Sequence, residues 1–279
     1  MKIDFMLIVL NGEPWIEAWL KTYEPHARKI FIIEGTDSER FNCVPNDIKQ
    51  LCRTSDGHSV DKTREIVRGF GSDKVVLIDE NPDTGNGFWK SKNHMIKQVN
   101  SRVEADWLWE ADSDEFLHQG DIGQIKKCLK KRPEVLVWQF EVFNFWRSIS
   151  HIVQGGWVSK YRRIFKWKPG VTKFSNHRPP TTTTDGPPAT LPCNLYHYSY
   201  VLEKDAKYKP FYHQGMYGKG WFERKWLAWT PKNRKSIEVE GIGPARNFGR
   251  SWTKPVNVKH PEFVKPVLKG LVRDNIILP

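Results

Sequence analysis

Four short apolar runs, each closed by polar or acidic residues and followed by helical-period sequence, restrict this chain to very few folds. The first is a strand over residues 3 to 10, Phe5-Met6-Leu7-Ile8-Val9-Leu10 breaking at Asn11-Gly12. The second, Lys29 to Ile33, closes with Glu34-Gly35-Thr36-Asp37, and the third, Val75 to Ile78, ends in Asp79-Glu80. The fourth begins at Trp107. Between them, Pro14 suits a first helical turn and Ile16, Trp19, Leu20 and Tyr23 follow at helical spacing. Residues 60 to 70 and 89 to 103 continue the alternation, the latter with Ile96, Val99 and Val103 on one face. Strands alternating with helices predict an α/β fold, a mostly parallel Rossmann-like sheet with helices on both faces.

In such sheets ligands sit beyond the carboxyl ends of the strands, so the residues closing the fourth run carry most of the functional signal. Trp107-Leu108-Trp109-Glu110-Ala111 runs into Asp112-Ser113-Asp114-Glu115, three carboxylates within four residues. A strand-ending Asp is often only a cap or turn former. Packed together in a cleft, however, carboxylates repel unless they share a proton or hold a cation, and Mg²⁺ or Mn²⁺ prefers oxygen ligands. A metal held by one or two carboxylates keeps open positions, commonly filled by substrate phosphates. Asp112, Ser113 and Asp114 therefore line the expected cleft.

The formal net charge of +12 on 279 residues suits a phosphate-bearing partner: a nucleotide, a nucleic acid or an anionic membrane surface. Thirteen tryptophans and fifteen phenylalanines suit a large buried core. The opening apolar run is too short to span a bilayer and lacks a signal-peptide cleavage pattern, so no transmembrane segment is expected. Cys43, Cys52, Cys128 and Cys193 are scattered without a Cys-x-x-Cys pair, which argues against structural zinc and predicts a reducing, cytoplasmic compartment.

Beyond the acidic motif, Asp121 reads as a cap for a short helix marked by Ile122, Ile125 and Leu129, and Val135 to Phe145 as a strand. Aromatic and basic segments follow, such as residues 157 to 165. Residues 176 to 192, dense in Pro and Thr, predict an exposed loop that acts as a lid. Leu195 to Val201, carrying His197, is the last expected strand, and a helix is expected over residues 261 to 271.

This order resembles the GT-A glycosyltransferases, in particular the family-two-like bacterial and viral members. The resemblance rests on Asn11-Gly12-Glu13, on Ile32 through Asp37, on Asp112-Ser113-Asp114-Glu115 and on Tyr196-His197-Tyr198, with a weaker echo in His260-Pro261-Glu262. It covers roughly residues 1 to 202, leaving 203 to 279 as a basic, Trp-rich helical and irregular extension. It implies a metal-dependent transferase that moves sugar from a nucleotide-diphosphate sugar, a UDP-sugar ahead of a GDP-sugar, to a glycan or other hydroxyl acceptor. It also implies Mn²⁺ or Mg²⁺ on Asp112, Asp114 and His197, and Asn11, Glu13 and Glu34 around the base and ribose. Glu34-Gly35-Thr36-Asp37 departs from the commoner Asp-Asp-Gly-Ser.

Such transfer needs cations against the leaving diphosphate, for which Lys160, Arg162 and Arg163 are candidates, and in an inverting enzyme a base, for which Glu141 and Asp185 are candidates. Glu115 is expected to support the metal-binding turn, and Trp89, Trp146, Trp157 and Trp221 either stack on sugars or pack the core. Two other classes compete. A metal-dependent nucleotidyltransferase shares the acidic motif but wants a Gly-rich phosphate loop after the first strand. A nucleic-acid binder suits the charge but shows no recognised signature and leaves the carboxylates unexplained, so no nucleic acid is expected, while peripheral membrane contact fits the charge.

Overall fold

The computed structural model describes residues 1–35, 50–78, 96–155, 159–174, 187–212, 222–232 and 251–279. Strands β1 (Ile3–Val9), β2 (Lys29–Glu34), β3 (Val75–Ile78) and β4 (Trp107–Ala111) lie in the order β3-β2-β1-β4, every neighbouring pair parallel. This is the Rossmann-like run that the alternating sequence predicts. Its β1 residues show why both faces need covering. Ile3, Phe5, Leu7 and Val9 point into one core, shared with α1 (Ile16–Tyr23), Val67 of α2 (Thr63–Gly69) and α3 (Gln119–Lys131). Met6 points into the other, with Ile96, Val99 and Val103 from around the helical residues 96–100. Successive side chains of a strand alternate faces, so a continuous apolar run demands helices on both.

Aromatic packing fixes the register that sets the site. Phe5 and Trp109 are cross-strand partners and stack at 5.0 Å, and Trp109 stacks in turn on Phe140 at 5.5 Å. All three are fully buried, each worth about 1.5–3 kcal/mol in apolar burial and somewhat more for stacking. The loops leaving β1 and β4 are thereby held side by side on one edge of the sheet.

Past β4 the sheet is mixed. β8 (Lys160–Lys166) runs antiparallel to β4, and β6 (Val137–Trp146) antiparallel to β8. β9 (Ala189–Tyr200) lies parallel to β6 and pairs β5 (Glu115–Phe116) antiparallel. The end of β6 pairs β7 (His151–Gly155), which carries β10 (Ser251–Pro255) on its outer side. Helix α4 (Glu203–Tyr212) follows β9, and α5 (Lys265–Arg273) returns Val264, Leu268 and Leu271 to the main core. The C-terminal segment thus contributes a strand to the sheet and a helix to its cover.

Several boundaries differ from the sequence reading. Pro14 precedes α1, which opens at Ile16 after Trp15. Asp121 lies in the first turn of α3, whose N-cap is His118. Residues 189–192, read as loop, begin β9, where Ala189 and β-branched Thr190 pair with Trp138 and Gln139 of β6 and Leu191 is buried. β7 and β10, each five residues long, and β8, with its mixed aromatic and basic residues, are strands that show no clear alternation in the sequence. Residues 176–186 of the expected lid, with Asp185, and Trp89, Trp157, Trp221 and Cys43, lie outside the described residues. Cys52, Cys128 and Cys193 are unbridged thiols. Among the described residues no helix is long and apolar enough to cross a membrane.

Candidate active site

The acidic turn is held from beneath. Pairing of β5 with β9 sets Glu115 opposite His197. The Glu115 side chain is fully buried, its Oε2 accepting the Asp112 N–H at 3.1 Å and its Oε1 accepting Arg163 Nη2 at 2.5 Å and Nε at 3.2 Å. Burial pushes its carboxyl up to about 7, Arg163 pulling the other way. Arg163 also reaches Asp112 Oδ2 at 2.5 Å. Burial opposes the guanidinium charge, but Asp112 and Glu115 outweigh it and raise its pKa well above the ordinary arginine value. Asp112 is pinned through its backbone and one oxygen while its side chain stays 50% exposed.

His197 completes the cluster. Its Nδ1 donates to Asn144 Oδ1 at 2.7 Å, an oxygen that also accepts the Tyr161 hydroxyl at 3.3 Å. That bond fixes the ring and turns Nε2 toward Asp114 Oδ1, 3.4 Å away. His197 Nε2 and the Asp114 carboxylate thus face each other directly beside Asp112. One ligand atom each of Asp112, Glu115 and His197 falls within 4.8 Å of the others. The group whose ligand atoms are close enough to share a hard divalent cation is thus Asp112, Glu115 and His197, with Asp114 adjoining it at His197 and both Glu115 oxygens also engaged by Asp112 and Arg163.

The neighbouring loop after β1 is a lattice of backbone hydrogen bonds. Asn11, at φ +56°, donates from Nδ2 to the Cys52 carbonyl at 2.6 Å and from its N–H to Ser59 Oγ at 2.8 Å, and its Oδ1 accepts the Val60 N–H at 2.9 Å. Gly12 donates to Thr63 Oγ1 at 2.7 Å, and a Cβ there would stand 2.7 Å from a Val9 methyl, so no larger residue fits. Glu13 Oε2 accepts the Lys62 N–H at 2.9 Å. Glu34 is fully buried, its oxygens taken by His58 Nδ1 and the Ser59 N–H, both at 2.7 Å. Beside this lattice opens a cavity of about 390 Å³ lined by Asn11, Cys52, Val60, Asp61, Lys204 and Lys207 among others. Lys204, at the start of α4, closes one side by donating to the Glu13 carbonyl at 2.5 Å.

The structure therefore brings Asp112, Asp114, His197 and Arg163 together, with Ser113 in the same turn, and sets Asn11 beside the cavity. It gives Glu34 to buried contacts with the 58–59 segment. Lys160 pairs with Glu141 at 3.7 Å, away from the cluster. Glu141 and Asn144 are an odd number of residues apart in regular pairing with β9, so Glu141 faces the opposite side of β6 from the Asn144–His197 pair. Trp146 is fully buried in a cluster with Tyr200, Trp226 and Trp229 and packs the core. Asn144 was missed, although a lone amide inside Phe143-Asn144-Phe145-Trp146 is itself a signal, because a buried polar side chain in an apolar strand needs a partner.

No protein-family model and no curated protein sequence matches the chain. Among solved structures it is similar to glucosyl-3-phosphoglycerate synthase from Mycobacterium tuberculosis. The complex with Mn²⁺, UDP and glucosyl-3-phosphoglycerate superposes with a TM-score of 0.34 at 16% identity, over 51% of this chain and 43% of that one. The complex with Mn²⁺, UDP-glucose and phosphoglyceric acid gives 0.35 at 15%, over 51% and 44%. The match spans less than half the length of those structures.

Proposed function

We propose that the chain is a metal-dependent glycosyltransferase of the GT-A type, transferring sugar from a nucleotide-diphosphate sugar to a hydroxyl acceptor. The observation that carries this reading is the group of Asp112, Glu115 and His197, with Asp114 3.4 Å from His197 Nε2, at the carboxyl edge of a parallel sheet whose neighbouring β1 loop lines a cavity at Asn11. Asp112, Asp114 and His197, with Glu115 at hand, would hold Mn²⁺ or Mg²⁺, which would supply positive charge against the leaving diphosphate. Glu115 and Arg163 keep Asp112 aimed, Asn144 keeps His197 in the ligating tautomer, and the loop lattice shapes the cavity for a nucleoside, with a UDP-sugar the first donor to screen. Glu141 faces away, which favours Asp185 as the base that takes the acceptor proton in an inverting reaction.

Donor hydrolysis and thermal shift test this together. The parent protein should release nucleotide from a UDP-sugar only with Mn²⁺ or Mg²⁺, and UDP plus Mn²⁺ should raise its Tm. Asp114→Ala should lower turnover by about 100-fold or more with unchanged circular dichroism, since loss of even an outer-shell partner costs about 10–100-fold. Undiminished turnover in Asp114→Ala, or in excess chelator, discards the metal site. Stabilisation by a nucleoside triphosphate alone points instead to a nucleotidyltransferase, and stabilisation by an oligonucleotide to a binding protein.

A further inference from the structure

The charge of this chain is concentrated at one end. Residues 203–279 hold sixteen Lys and Arg against seven Asp and Glu, nine of the twelve net positive charges. Within that segment α5 is sharply two-faced. Val264, Leu268 and Leu271 are buried against the main core, whereas Lys265, Lys269 and Arg273 are exposed. Their spacing of four residues stacks them in one row about 12 Å long at 1.5 Å per residue. Lys265 and Lys269 have no carboxylate partner among the described residues, while Arg273 meets Asp274 at 2.8 Å. Exposed Lys254 and Lys259 precede the helix.

Two apolar side chains bracket the row. Phe263, just before the helix, is 39% exposed, and Ile276, just after it, is 52% exposed. They belong to a well-anchored segment. Glu262 accepts the Gln119 N–H at 3.1 Å and pairs with His118 at 3.2 Å, His260 bonds the Tyr198 hydroxyl at 2.8 Å, and Ile277 is buried. Phe263 and Ile276 are therefore presented to solvent by a fixed backbone.

We propose that α5 and its flanks form a docking face for an anionic lipid bilayer surface, with Lys265, Lys269 and Arg273 against the headgroups and Phe263 and Ile276 entering the interface. A basic row between apolar anchors on a short amphipathic helix is the arrangement by which helices lie in the membrane plane. Charge complementarity selects anionic headgroups. The apolar flanks separate this reading from RNA, because a phosphate backbone recruits cations but gives no purpose to an exposed isoleucine. The inference is independent of the glycosyltransferase reading. His197 and the pair Tyr196 and Tyr198 alternate along β9, and the 259–262 segment packs on the tyrosine side, opposite His197.

The test is co-sedimentation of the full chain with vesicles of phosphatidylcholine, with or without a third of phosphatidylserine. Binding should need phosphatidylserine and weaken as salt rises. Lys265→Glu, Lys269→Glu and Arg273→Glu combined should lower it about 100-fold, since each cation near such a surface contributes about 1 kcal/mol, roughly fivefold. Phe263→Ser with Ile276→Ser should weaken binding while keeping the salt slope. If charge reversal lowers Tm, the triple glutamine variant replaces it. Equal binding of parent and triple variants overturns the proposal. So does a parent protein that ignores the vesicles while binding single-stranded RNA through the same three residues.

Discussion

Two arginines close opposite edges of the parallel sheet, each on one buried and one exposed carboxylate, and only one of them leaves anything over for a ligand. At the amino edge Arg28 grips fully buried Asp4 through Nε at 2.8 Å and Nη2 at 2.5 Å and reaches exposed Glu104 at 2.8 Å. The Asp4 oxygens also accept the backbone N–H groups of Lys29 and Glu104, so every acceptor is used. At the carboxyl edge Arg163 grips buried Glu115 and half-exposed Asp112. There Asp112 stays half-exposed, and Asp114 and His197 stand 3.4 Å apart beside it. The same ionic device is saturated where it only builds and unsaturated where it can bind.

Removing each cation tests that contrast. Arg28→Met strands a buried carboxylate and should cost about 3–5 kcal/mol in urea unfolding, with Mn²⁺ response unchanged in what folds. Arg163→Met should cost less, about 2 kcal/mol, because half-exposed Asp112 can be solvated and burial already holds the Glu115 carboxyl up to about 7. It should nevertheless lose the Tm increase given by Mn²⁺ with UDP. Equal stability losses from the two variants, or an intact Mn²⁺ response in Arg163→Met, breaks the comparison. Removing the exposed anion at the amino edge should barely register: Glu104→Ala at about 0–0.5 kcal/mol, as surface pairs generally give.

Acid provides the smallest and most specific test, since it acts on a group in neither cluster. Burial lowers the pKa of His260 from its ordinary 6.5. Its neutral form is therefore favoured by folding, and the stability it contributes is present above pH 6.5 and is lost as pH falls through the folded value. His260→Leu should flatten that acid limb of the urea midpoint and leave the neutral region almost unchanged. An unaltered limb would assign the acid sensitivity elsewhere.

The parallel half was legible because its strands are buried on both faces and read as unbroken apolar runs. The Asp112–Asp114 turn was legible for the same reason, since polar residues stand out where such a run stops. The mixed half was not. β8 reads Lys-Tyr-Arg-Arg-Ile-Phe-Lys, in which Arg163 is part-buried against Glu115 and Asp112, and no local pattern reveals a partner that distant. The resemblance implies Glu34 near the base and ribose, whereas its bonds to the 58–59 segment depend on a crossover that the sequence does not display.

The pairing of β5 with β9 also sets an order of assembly. A growing polypeptide exposes Asp112, Asp114 and Glu115 well before Arg163 is synthesised, and His197 later still. Until β8 and β9 arrive, the acidic turn has no internal counter-charge and must stay hydrated at the end of a nascent sheet. The part of the molecule with the most chemistry thus gains its shape well after its own strand is made, and synonymous changes that pause translation between residues 116 and 163 should prolong its vulnerability to proteases without altering the finished protein.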